Sequence, residues 1–184
     1  FLPGEGEIRR TMSNLEGRLP ANCDLRPLYG ALPFAEQRKA IVPAKTGRKI
    51  VLATSIAETS LTIEDVRVVV DAGRARRARF DPASGMSRLV TEPASKAETT
   101  QRAGRAGRVA PGDAYCLWTK GEHGARPAFA PAEIEAADLA GLALELAVWG
   151  SDDLAFLTPP PAGALAEARS LLRSLNALDR DDRI

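Results

Sequence analysis

Ile50-Val51-Leu52-Ala53-Thr54-Ser55-Ile56-Ala57-Glu58-Thr59-Ser60-Leu61-Thr62-Ile63-Glu64-Asp65-Val66-Arg67-Val68-Val69-Val70 holds two short apolar runs with a mixed segment between them. Residues 50–53 and 66–70 are rich enough in branched side chains to read as fully buried strands. Strands separated by helical segments imply a parallel sheet covered on both faces, and the fold class is α/β. Thr54 and Ser55 fall at the carboxyl end of the first strand, where open α/β sheets bind their ligands.

Upstream, Phe1-Leu2-Pro3-Gly4 reads as the end of another buried strand, and the absence of an initial Met suggests a fragment of a longer protein. Ile8, Met12, Leu15 and Leu19 recur at the spacing of one helix face. An extended stretch over 25–29 is punctuated by Gly30, and a brief helix over 34–41 ends at Pro43. Downstream, 76–92 has the pattern of a projecting β-hairpin around the Pro/Gly loop at 81–85. Ser95 and Glu98 have capping-box spacing and should open a helix through Arg105, followed by a strand over 115–118. Beyond Pro131 the composition turns Ala/Leu-rich. Leu139, Leu142, Leu146 and Trp149 form a stripe that Gly150 terminates, and Leu165, Ala168, Leu172 and Leu175 form another after three prolines. The predicted division is one domain over 1–125 and a helical segment over 126–184.

The chain has 184 residues, 45% of them hydrophobic, and a formal net charge of +1. No apolar run reaches the roughly 20 residues that cross a bilayer, and a secretory leader pattern is missing, so the expected location is the cytoplasm. Cys23, Cys116 and the single His123 are too few for a zinc site or a disulfide framework, and no metal ligands are assigned. So small a net charge specifies no partner; local clusters of Lys and Arg carry that argument.

The chemistry concentrates in Gln101-Arg102-Ala103-Gly104-Arg105-Ala106-Gly107-Arg108. Gln101, Arg105 and Arg108 lie at i, i+4 and i+7, one face of a helix continued through the segment. Two glycines inside a helix disfavour it by about 1 kcal/mol each, a disadvantage that close approach to another surface would explain. Guanidinium forks stay charged and donate paired hydrogen bonds, which suits phosphate oxygens.

This segment resembles motif VI of the DEAH/RHA group of superfamily 2 helicases. Residues 1–4 are similar to the group's motif IV region, Leu28-Tyr29-Gly30-Ala31-Leu32-Pro33 to the segment after it, and 53–63 to motif V. The resemblance implies a RecA-like second lobe of P-loop NTPase type, followed by the start of a winged-helix-like region. It implies an ATP-dependent RNA or DNA helicase in which Gln101, Arg105 and Arg108 face the ATP phosphates across a cleft. Ser60 would sense the nucleotide state, and Thr62 and Glu64 would lie near its ribose. Thr54, Ser55 and Thr59 would contact the nucleic-acid backbone, as would Arg77 and Arg79 of the hairpin. Ser55 stands where most members carry Asn, and Ile41 where many place an aromatic against the adenine.

No Gly-x-x-x-x-Gly-Lys-Ser/Thr loop and no Asp-Glu-x-His occurs in the sequence. ATP and Mg2+ would then be held mainly by an N-terminal RecA-like lobe of the same protein, and this segment alone would be inactive. The competing reading is a non-catalytic nucleic-acid-binding or interaction module that shares a helicase lobe. Its partner would be the same single strand.

Overall fold

The computed structural model describes residues 1–59, 61, 63–81 and 84–184. They form two compact units, Phe1–Arg76 with Thr91–Ala130, and Arg77–Val90 with Pro131–Ile184.

In the first unit, β1 (Cys23–Leu28) runs parallel to β2 (Arg48–Ala53), with Leu28 opposite Ala53. A second parallel pair joins β3 (Val68–Asp71) to β6 (Asp113–Cys116). Residues 1–2 stitch the pairs together. The Leu2 N–H donates to the Ala53 carbonyl at 2.8 Å, and the Ala72 N–H donates to the Phe1 carbonyl at 3.1 Å. The lateral order is thus β1, β2, residues 1–2, β3, β6. Helices α1 (Glu5–Leu15), α2 (Phe34–Ile41), α3 (Lys96–Ala103) and α4 (Lys120–Ala125) complete the unit. The core beside β1 and β2 is small: Leu28, Ala40, Ala53 and Ala57, with Phe1, Val51, Ile56, Leu61 and Ile63 packed on it. Such short side chains let α2 and the segment after β2 lie close to the strands.

The expectation of two covered faces fails at β3. Val69 and Asp71 are buried, whereas Val68 and Val70 are 55% and 48% exposed. Burial follows the strand's period of two because only one face is packed. An all-apolar run is compatible with either arrangement.

Between β3 and β4 (Arg74–Asp81) the chain turns at Gly73, whose φ of +66° is a conformation that L side chains rarely adopt. The Arg126 guanidinium clasps this turn, donating to the carbonyls of Gly73 at 2.8 Å and Ala94 at 2.7 Å, and lies 4.2 Å from the Trp118 ring centre. β4 pairs with β5 (Met86–Pro93) in a two-stranded sheet of its own.

In the second unit, α5 (Ala140–Trp149) and α6 (Ala162–Ser174) pack through Leu139, Ala143, Ala168, Leu172 and Leu178. Gly150 ends α5 in the left-handed region, its N–H on the Leu146 carbonyl at 2.9 Å. Trp149, at 73% exposed, is no part of that core.

Ser95 opens α3 with a reciprocal capping box: its N–H donates to Glu98 Oε2 at 2.7 Å, and the Glu98 N–H returns to Ser95 Oγ at 3.3 Å. Ser95→Ala should lower stability by about 1 kcal/mol. A urea midpoint at unchanged slope measures the loss.

Candidate nucleotide and nucleic-acid site

α3 ends at Ala103, with Gly104 as its C-cap. Beyond it the backbone tightens into i to i−3 bonds, Arg105 N–H to the Arg102 carbonyl and Ala106 N–H to the Ala103 carbonyl, both at 3.1 Å. Gln101 therefore sits on the helix while Arg105 sits in the turn after it and Arg108 in the bend that follows, so the single helix face expected from the sequence is not formed. Gly104 and Gly107 each disfavour a helix interior by about 1 kcal/mol against Ala, which favours the stop here, although neither adopts a positive φ. A Cβ placed on Gly107 would meet only open space.

The three side chains differ in environment. Gln101 and Arg108 are exposed. Arg105 is only 5% exposed. Its Nε donates to the Glu58 carbonyl at 2.8 Å, its Nη1 to the Leu61 carbonyl at 2.6 Å, and its Nη2 also to Glu58. Burial pulls the pKa of this guanidinium down from its ordinary value; the Arg108 charge adds to that and Glu58 opposes it. Arg105 is the cation that ties residues 58–61 to the end of α3.

Arg102 makes a second tie that sequence reasoning missed. It is 1% exposed, the largest fully buried side chain among the described residues. Its Nε donates to Glu58 Oε2 at 2.9 Å, and its Nη1 donates to Asp71 Oδ1 and to the Arg74 carbonyl, each at 3.1 Å. Asp71 Oδ1 also accepts the Gly73 N–H at 2.8 Å. Burial pushes the Glu58 carboxyl above its ordinary pKa, while the hydrogen bond and charge of Arg102 pull it down. The available signal was Asp71 itself, a carboxylate closing a valine run that reads as buried and so in need of a cation.

Thr54 follows β2 with its N–H on the Leu28 carbonyl at 3.1 Å. It precedes a 3-10 turn, Ser55–Ala57, without capping it through its side chain. Ser55, Thr59 and Glu64 are exposed. The assigned Ser60 and Thr62 lie outside the described residues. Arg77 and Arg79 are half-buried on β4 and alternate with Arg74 and Arg76, so the hairpin arginines divide between its two faces. They belong to the second compact unit. The described residues contain no group of three or more His, Cys, Asp or Glu able to hold a metal ion. No helix among them is long and apolar enough to cross a membrane.

Chemically, the first unit presents an exposed arginine and glutamine beside a segment of exposed hydroxyls, joined by two buried arginines. The sequence and the fold of the chain match those of known proteins. The ATP-dependent RNA helicase HrpB of Escherichia coli K12 is 50% identical over 183 residues, 97% of this chain and 23% of that protein. The Arabidopsis thaliana pre-mRNA-splicing factor ATP-dependent RNA helicase DEAH10 is 39% identical over 194 residues, 100% of this chain and 27% of that protein. The crystal structure of E. coli DEAH/RHA helicase HrpB matches with a TM-score of 0.94 at 48% identity, covering 100% of this chain and 24% of that one. The chain thus spans about a quarter of these relatives. Residues 7–110 match the model of the helicase conserved C-terminal domain. The chain belongs to the helicase conserved C-terminal domain family and resembles its DEAH/RHA-type RNA helicase members.

Proposed function

We propose that this chain is the second motor lobe of an ATP-dependent RNA helicase of the cytoplasm, with 126–184 as the start of a winged-helix-like region. The observation that carries this reading is the double tie of Arg102 and Arg105 to residues 58–61. It makes the phosphate-facing segment and the hydroxyl-bearing segment one mechanical piece. A shift of 101–108 on nucleotide binding is then delivered to residues that grip a strand.

In this reading Arg108 and Gln101 reach the ATP phosphates directly. Arg105 reaches them by exchanging its carbonyl partners for phosphate oxygens, which leaves the Arg102–Glu58 pair as the tie while nucleotide is bound. Ser60, Thr62 and Glu64 serve the nucleotide's sensor and ribose contacts, and the phosphate cradle and Mg2+ ligands come from an N-terminal lobe. A bound nucleotide would supply the phosphoanhydride whose cleavage is coupled to opening and closing of the two lobes; the residues here orient it and stabilise developing charge.

Thr54, Ser55, Thr59, Arg77 and Arg79 contact the strand through its backbone, which carries no base information. The chain should therefore bind unrelated single strands with similar affinity, and binding should weaken steadily as salt rises. Fluorescence anisotropy with labelled strands of two unrelated sequences, at two salt concentrations, tests this. Tight, salt-insensitive or sequence-selective binding would remove the backbone-contact reading.

A further inference from the structure

Beside α2 and the amino-terminal parts of β1 and β2 lies an open groove of about 730 Å³, lined by Arg26, Phe34, Arg38, Lys39, Lys45 and Lys49 among others, with Asp24 as its one acidic lining residue. Two of the cations are matched locally, Arg26 by Asp24 at 2.8 Å and Lys39 by Glu36 at 2.6 Å. Lys49 donates to the carbonyls of Lys39, at 2.8 Å, and Val42, closing the end of α2 without meeting an acid. Arg38 and Lys45 form no ion pair among the described residues. Three positive charges thus line the groove without a counter-charge. Phe34, on the same wall, is 77% exposed.

The groove is separate from the hydroxyl segment after β2. Asp24 and Lys49 are register partners near the amino-terminal end of the β1–β2 pair. Thr54 lies past the carboxyl end, about 16 Å away along β2 at the usual rise per residue. The adjacent edge of β1 is a poor template for an added peptide strand. The carbonyls of Asn22 and Leu28 accept from Arg48 and Thr54, so even-numbered residues face β2 and odd-numbered ones face outward. Of the outward ones, the Cys23 N–H is already on the Pro20 carbonyl at 3.0 Å, and Pro27 has none. Uncompensated cations beside an exposed aromatic face suit a different ligand, a strand with phosphates for the cations and bases that stack.

We propose that this groove holds single-stranded nucleic acid, with backbone phosphates against Arg38, Lys45 and Lys49 and a base stacked on Phe34. It is a second contact for the strand, distinct from residues 54–59. The proposal rests on the reading of the chain as a nucleic-acid motor lobe.

The test uses the full-length protein with a fluorescein-labelled oligouridine, and a second oligouridine carrying 4-thiouridine for photo-cross-linking. Arg38→Glu with Lys45→Glu should weaken binding about tenfold or more and make the logarithmic salt slope shallower by about two, one for each phosphate contact removed. Phe34→Ala should weaken it about fivefold or more. Unstimulated ATP turnover should be unchanged in both variants. Cross-links should map to the peptide holding Phe34 and Arg38. Unchanged affinity and slope, with no cross-link within 26–49, would overturn the proposal. Cross-links at 54–59 in that same experiment would leave the motor-lobe reading standing. Displacement of the cross-linked strand from the groove by ADP would make the groove a mononucleotide site. Protection of Lys45 from acetylation by an acidic peptide, but not by the strand, would make it a protein-docking site. Either result would also overturn the proposal.

Discussion

Arg108→Ala in the proposed two-lobed protein is expected to lower single-turnover ATP hydrolysis about a thousandfold while moving the melting temperature by no more than about 2 °C. The first figure is what an arginine aimed at developing charge on a transferred phosphoryl group contributes. The second follows from exposure, since surface arginines add little to stability. Arg108→Lys should recover little, because the ammonium keeps the charge and loses the planar fork. Arg105→Ala should be as damaging to turnover but different in kind. Its guanidinium is buried on the carbonyls of Glu58 and Leu61, so its loss leaves buried acceptors without donors and should also lower stability by about 1–3 kcal/mol. The sequence alone suggests a surface arginine here, and the structure replaces that with a buried one. Stopped hydrolysis assays and thermal unfolding of the three variants separate the roles. Near-normal turnover in Arg108→Ala would end its assignment to the phosphate site.

Arg102→Ala carries the largest expected effect on folding, a loss of about 3–5 kcal/mol. The variant leaves the side chains of Glu58 and Asp71, 11% and 3% exposed, with no cation between them. For a chain of this size that corresponds to a fall of about 10 °C or more in melting temperature. The pH dependence gives a second handle. Glu58 already has its folded-state pKa raised by burial, and removing Arg102 raises it further. A group with a raised folded pKa contributes stability that is full below its unfolded pKa and is lost as pH rises through the folded value. The deficit of Arg102→Ala should therefore be largest near neutral pH and shrink toward about pH 5. Arg102→Lys should restore only part of the loss, since one ammonium replaces a fork that spans Glu58, Asp71 and the Arg74 carbonyl. Thermal scans at the two pH values measure both effects. A deficit independent of pH would mean that the carboxylates are not its source.

Much of this architecture was legible in the sequence where a local chemical signal marks a boundary. Pro33 and Pro43 bracket α2, Ser95 and Glu98 announce the start of α3, and Gly150 stops α5. Each is a backbone or capping effect that needs no tertiary information. The end of α3 was not legible, because side-chain periodicity continues through Gly104 and Gly107 whether or not the backbone remains helical. Nor was the bare face of β3, since an apolar run does not reveal how many faces are packed. Arg102 was the largest omission. An arginine on a helix ordinarily reads as solvated, and only the arrival of Glu58 and Asp71 from distant parts of the chain makes burial affordable. Among the candidate site residues, the sequence singled out the segments 54–64 and 101–108, while the structure supplied the contact between them.

In the proposed function this lobe completes an ATP site whose phosphate loop lies elsewhere. The most direct measurement is single-turnover ATP hydrolysis by the phosphate-loop lobe, alone and covalently joined to this chain, with single-stranded RNA at saturation. Joining should raise the rate by about a thousandfold or more, and the increase should vanish in Arg108→Ala. Equal rates for the lone and joined lobes, or an increase that survives Arg108→Ala, would contradict the claim.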